Sequence, residues 1–194
     1  MDLKHGLLAT GTRAVVLVEG TSDQAALDAL AKRRGRDLHT EAVAIVPIGG
    51  ATNIGHFLDR VGPIGLDLAL AGLCDLAEEG AFRRGLERAG LGSNLTRSEM
   101  EALGFFVCVV DLEDELIRAL GPAAVEEVIE AQGELGSFRI MRRQPAQRER
   151  TIEEQLKRFL GTRSGRKTNY ARLLVEALDL DQVPRPLDGV LGSV

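Results

Sequence analysis

The chain has 194 residues, 44% hydrophobic and 27% charged, with a formal net charge of −5. That length can build one good-sized core, or one domain with an appended subdomain, without disulfides to hold it. No basic region followed by an apolar core opens the chain, and no apolar run approaches the roughly 18 residues of a membrane span, so a soluble, cytoplasmic protein is expected.

Four apolar runs alternate with helical patterns, which predicts a parallel α/β sheet. The first, Ala14 to Val18, stops at Glu19 and Gly20, and Thr21 and Ser22 then offer helix caps ahead of Asp23. Ala26, Leu27, Leu30 and Ala31 continue at helical spacing to Arg34, where Gly35 ends the helix. The second run, Ala42 to Ile48, closes on Gly49 and Gly50, a turn before a helix from about Asn53 to Val61. The third, Leu66 to Cys74, ends at Asp75, and a helix follows from Glu78 and Glu79 to Ala89. A short helix is expected over Ser98 to Leu103, before the fourth run, Phe105 to Val110. That run ends in Asp111-Leu112-Glu113-Asp114-Glu115, and from Leu116 the chain reads as helical. Helices are expected over Val125 to Gln132, over Ser137 to Arg150 with Pro145 interrupting, after the cap Thr151, and over Thr168 to Leu178. The end is Pro-rich at Pro184 and Pro186. This divides the chain into an α/β core, residues 1–121, and a helical, basic extension, residues 122–194, packed on it in the same domain.

Charge is segregated along this layout. Between Arg139 and Arg172 eleven Lys or Arg stand against three Glu, a balance of +8 that leaves −13 for the remainder. A basic surface of this kind can track a phosphate backbone, with Arg142, Arg143, Arg163 and Arg166 as candidate contacts. The acids, in contrast, gather at strand ends. Parallel strands release their carboxyl ends on one side, so Glu19, Asp23, Asp75, Asp111 and Glu113 are expected to converge where open α/β sheets bind ligands. Clustered carboxylates suit hard cations such as Mg²⁺ or Mn²⁺, and two such ions about 4 Å apart can promote phosphodiester cleavage. Other chemistries fit less well. Cys74 and Cys108 read as small buried hydrophobes of a reduced protein, with no partner at zinc-ligand spacing, and His5, His39 and His56 stand singly outside any triad motif.

Glu-Gly-x-x-Asp after an apolar strand, then Asp75, then Asp111 to Leu116, then Gly165-Arg166-Lys167 before an aromatic and an alanine, resembles a Toprim domain. The likeness is to the catalytic module of the OLD (overcoming lysogenization defect) endonucleases and covers roughly Ala14 to Leu178. It implies a Toprim, Rossmann-like fold with about four parallel strands flanked by helices, and a two-metal DNA endonuclease or nickase. By position, Glu19 and Asp23 would bind metal and Glu19 also act as base. Asp75 would bind a metal, Asp111 and Glu113 complete the second site, and Lys167 stabilise the transition state. The family's usual Asp-x-Asp is here Asp75-Leu76-Ala77, with Glu78 and Glu79 the next acids. No counterpart of the ABC-type ATPase of those nucleases is expected in this chain. Gly161 to Thr168 is no phosphate loop, because Arg166 replaces its second glycine and no strand leads into it. ATP hydrolysis by this chain is therefore not expected, while a separate ATPase and a second copy in a homodimer are candidate partners beside nucleic acid, DNA before RNA. Two other readings compete. A non-catalytic Toprim module would bind nucleic acid or a partner protein, and a receiver-like domain would carry its lysine after a fifth strand instead of after a long helical stretch.

Overall fold

The computed structural model describes residues 3–162 and 165–194. In chain order the elements are α1 (Leu3–Ala9), β1 (Ala14–Val18), α2 (Thr21–Arg33), β2 (Val43–Pro47), α3 (Ile54–Val61), β3 (Ala69–Cys74), α4 (Glu79–Arg88), α5 (Arg97–Ala102) and β4 (Phe105–Val107). Then come α6 (Leu112–Leu120), α7 (Pro122–Ala131), α8 (Leu135–Arg142), α9 (Ile152–Gly161), α10 (Arg166–Ala177) and α11 (Arg185–Gly192).

The four strands form one parallel sheet in the order β2-β1-β3-β4. Every residue of β1 is buried, because helices cover both faces of a central parallel strand. Its side chains alternate between two cores. Ala14, Val16 and Val18 join Leu27 and Leu30 of α2, Leu116 of α6, Phe159 of α9 and Leu174 of α10. Val15 and Leu17 join Ile54 and Leu58 of α3, Phe82 and Leu86 of α4, and Met100 of α5. The helices α7 to α11 all contribute to the first core, so residues from both halves of the chain share one buried cluster.

Several boundaries differ from the sequence expectations. Strand β4 ends at Val107, and Val109 and Val110 are exposed, so the apolar run outlasts the strand. Helix α6 begins at Leu112, four residues earlier than expected, because the Asp111 side chain accepts from the Asp114 N–H at 3.0 Å and caps it. Helix α8 stops at Arg142, with a 3₁₀ turn at Pro145–Gln147, and α7 starts at Pro122. Helices α1 and α11 were not expected. Pro186 is tolerated in the first turn of α11, where an N–H would have no intrahelical partner. Cys74 and Cys108 are buried and free. Among the described residues no helix is long and apolar enough to cross a membrane.

Gly72 of β3 is a tight point of the sheet: a Cβ there would lie 2.6 Å from Phe105 Cδ1 and 3.0 Å from the Leu17 carbonyl oxygen. Gly72→Ala is expected to destabilise by about 1–3 kcal/mol through overpacking. Equilibrium urea unfolding measures this, and an unchanged midpoint would show that Phe105 yields without cost.

Candidate active site

The register of the sheet dictates which acids meet. Val18 of β1 lies opposite Leu73 of β3, and Cys74 opposite Val107 of β4, so Glu19 and Asp75 leave adjacent strands almost level. Pairing continues past the strands: the Cys108 N–H donates to the Cys74 carbonyl at 2.9 Å and the Leu76 N–H to the Val110 carbonyl at 3.0 Å. Asp75 and Asp111 therefore follow neighbouring, tethered segments. The loop after β2 is fastened to the same place, since Gly49 and Gly50 donate their N–H groups to the Glu19 carbonyl at 3.1 and 3.2 Å. Both glycines have positive φ, 71° and 114°, which lets two successive amides point at one acceptor.

Three of the five acids, Asp23, Asp111 and Glu113, are set in place by a helix start. Asp23, in the first turn of α2, accepts from the Gly20 N–H at 2.8 Å. Asp111 caps α6, and Glu113 follows in its first turn, only 6% exposed. Favourable helix dipoles at these positions offset part of the cost of gathering negative charge.

That cost shows in the ionisation of the group. Burial, aided by Glu113 and Glu19, pushes Asp23 up to about 6 against the Gly20 hydrogen bond and Lys167. Burial and then Asp23, Glu19 and Asp111 push Asp75 up to about 7. Burial and then Glu78 raise Glu19, and burial raises Glu113. Lys167 sits 3.2 Å from Glu113 Oε2. The pair is asymmetric. Burial outweighs the lysine at Glu113, so that carboxyl remains harder to ionise than usual. At Lys167 burial opposes the charge, but Glu113, Asp23 and Asp75 together outweigh it and raise the ammonium's pKa.

All six residues expected at the catalytic and metal site are thus drawn to one sheet edge. Lys157 of α9, which sequence reasoning missed, joins them through an ion pair with Asp111 Oδ2. Of the two acids after Ala77, Glu78 is near enough to help raise the Glu19 pKa, whereas Glu79 is held by Arg83 and Arg97. The basic candidates separate. Arg142 and Arg143 are exposed, and Arg163 lies outside the described residues.

Arg166 corrects the expectation of a phosphate contact. Its side chain is buried against the Phe159 ring, 4.2 Å from the centroid, and bonds Glu134 Oε1 at 2.7 Å and the Phe159 carbonyl at 3.2 Å. The Tyr170 hydroxyl donates to the other Glu134 oxygen at 2.7 Å. This cluster pins the start of α10, where Thr168 also meets Thr21 of α2 at 3.0 Å.

The donor set fits a hard divalent cation, being oxygen only. Glu19 Oε2 and Glu113 Oε1 are buried without a hydrogen-bond partner among the described residues, an arrangement a cation would relieve. Among the described residues no three acidic, histidine or cysteine side chains close round one point as they stand. Lys157 and Lys167 draw Asp111 and Glu113 toward themselves, and an ion would have to displace them.

Raised carboxyl values carry a stability consequence with a definite sign. A group whose folded pKa exceeds its unfolded value binds more protons when folded, so stability falls as pH rises from about 4 through about 7 for Asp23 and Asp75. In EDTA at pH 8, Asp23→Asn is expected to be more stable than the parent, on the order of 1–3 kcal/mol, and to lose part of this pH slope. Thermal unfolding between pH 5 and 8 measures it, and a variant less stable at pH 8 contradicts the cost assigned to ionising Asp23.

Residues 12–75 match the family model described as "Overcoming lysogenization defect protein-like, TOPRIM domain". No curated protein matches the sequence. The structure is similar to the C-terminal region of the Burkholderia pseudomallei OLD protein, with a TM-score of 0.72 at 22% identity, covering 94% of this chain and 96% of that one. It is likewise similar to the C-terminal region of the Xanthomonas campestris pv. campestris OLD protein, with a TM-score of 0.71 at 24% identity, covering 95% and 92%. Residues 12–75 therefore carry an OLD-like Toprim domain, within a fold that the C-terminal regions of OLD proteins share along nearly the whole chain.

Proposed function

We propose that this chain is a divalent-metal-dependent phosphoryl-transfer enzyme that cleaves nucleic acid, acting on DNA as an endonuclease or nickase. One observation carries the reading. Five acids from three strand ends share one edge of the sheet, two of their buried oxygens lack a hydrogen-bond partner among the described residues, and a lysine is held among them. Asp23, Asp75, Asp111 and Glu113 would hold Mg²⁺ or Mn²⁺ together with Glu19. Such ions, when bound, supply Lewis acidity at phosphate oxygens. Glu19, whose carboxyl is raised by burial, accepts the proton of the attacking water. Lys167, kept protonated by its acidic neighbours, donates to the charge that develops on the phosphate. Arg142 and Arg143 present exposed guanidinium groups to the strand's backbone.

A non-catalytic module that binds nucleic acid or a partner such as a separate ATPase is the second reading. The observation behind it is Ala77, which is exposed where the family's second acid would stand. Calorimetric titration with Mn²⁺ separates the two, because absence of binding leaves only the scaffold.

Supercoiled plasmid is expected to be nicked in Mg²⁺ or Mn²⁺. Glu19→Gln and Asp111→Asn should abolish the activity, and Lys167→Ala should lower the rate by about 10²–10³-fold. Absence of cleavage of DNA and RNA by the purified parent in either metal would remove the catalytic reading.

A further inference from the structure

Three arginines at the corner between α8 and α9 stand unpaired among the described residues. The side chains of Arg139, Arg143 and Arg148 are exposed and make no hydrogen bond or ion pair among the described residues. With Arg142 and Gln155 they line one concavity of about 450 Å³, and no acid among the described residues lines it.

Arg142 is built into the wall of this hollow. Its Nε donates to Gln155 Oε1 at 2.8 Å, its guanidinium lies 5.5 Å from the Phe138 ring centroid, and Nη1 is 3.5 Å from Glu126 Oε1. Gln155 is itself 7% exposed and is oriented by donating to the carbonyls of Gln147 at 2.8 Å and Arg150 at 3.1 Å. Four like charges round one hollow repel one another unless an anion sits between them. Planar guanidinium forks match phosphate oxygens two at a time.

The surroundings favour a chain of phosphates over a single one. A second concavity on α9 is lined by Arg150, Lys157 and Arg158, and Lys157 reaches Asp111 in the carboxylate site. Its one acid, Glu154, is turned back to accept from the Thr151 N–H at 2.9 Å. Arg150, Lys157 and Arg158 thus place positive groups along α9 between the carboxylates and the arginine hollow, with Glu153 and Glu154 the acids of its first turn. The helix has ten residues, roughly 15 Å, and phosphates recur about every 3.4 Å along a duplex strand.

We propose that the hollow of Arg139, Arg142, Arg143 and Arg148 is a phosphate anchor for a nucleic-acid strand, with Arg150, Lys157 and Arg158 as the track from the anchor to the carboxylates. The proposal rests on the reading of the chain as a nucleic-acid-cleaving enzyme and adds to it a contact away from the bond that breaks.

The test is binding of a fluorescein-labelled 30-base-pair duplex to the full chain in EDTA, followed by anisotropy across a range of NaCl concentrations. Arg143→Ala/Arg148→Ala is expected to weaken binding about tenfold or more, equally for unrelated sequences. It should also flatten the plot of log affinity against log salt by about 2, since each phosphate contact contributes roughly 0.9. Affinity and slope equal to the parent's would overturn the anchor, as would a parent that binds no duplex or single strand. Displacement of the duplex by phosphatidylserine vesicles as readily as by unlabelled DNA would also overturn it, in favour of a lipid headgroup site. A parent that binds with the expected slopes but never cuts in Mn²⁺ supports the anchor while the catalytic reading fails.

Discussion

Strands that all run one way must all end on one side, and this constraint governs the molecule. Glu19, Asp75 and Asp111 terminate or follow three neighbouring strands, so the register that pairs Val18 with Leu73 and Cys74 with Val107 also brings their charges together. Each acid alone would be an ordinary carboxylate just past a strand. Together, and partly removed from water, they oppose one another, and the fold needs positive charge at that edge. Helix dipoles supply some of it, through Asp23 in the first turn of α2 and Asp111 at the cap of α6.

The remainder comes from far along the chain. Lys157 and Lys167 reach the edge from α9 and α10, whose apolar faces are buried against β1, α2 and α6. The last third of the sequence is therefore no mere cover for the sheet, because it delivers the counter-charges of the acidic cluster. Burial of Leu156, Phe159, Leu174 and Val175 fixes where those lysines stand. Packing and electrostatics are here the same design problem, solved by the same two helices.

The strands and their carboxylates were legible because an apolar run ending abruptly in an acid is a local pattern. The start of α6 was misread for an equally local reason: Val109 and Val110 continue the apolar run, yet they are 53% and 44% exposed and belong to the tether between strand and helix. Pro184 and Pro186 concealed α11, since proline argues against a helix everywhere except its first turn. Lys157 and Arg166 were illegible in a deeper sense. Both lie in one basic stretch, and composition cannot say that one base meets Asp111 while another is buried against Phe159. Only the packing of α9 and α10 distinguishes them.

Arg166 and Lys167 are adjacent in sequence, and successive residues of a helix point about 100° apart around its axis. Fixing the Arg166 guanidinium between Glu134 and Phe159 thus sets the rotational phase of α10, and with it the direction in which Lys167 is aimed. Glu134 and Tyr170 behave as the keyway of that setting rather than as parts of the reactive cluster. A change at either would turn the helix like a mis-seated shaft, altering the aim of a lysine that neither residue touches.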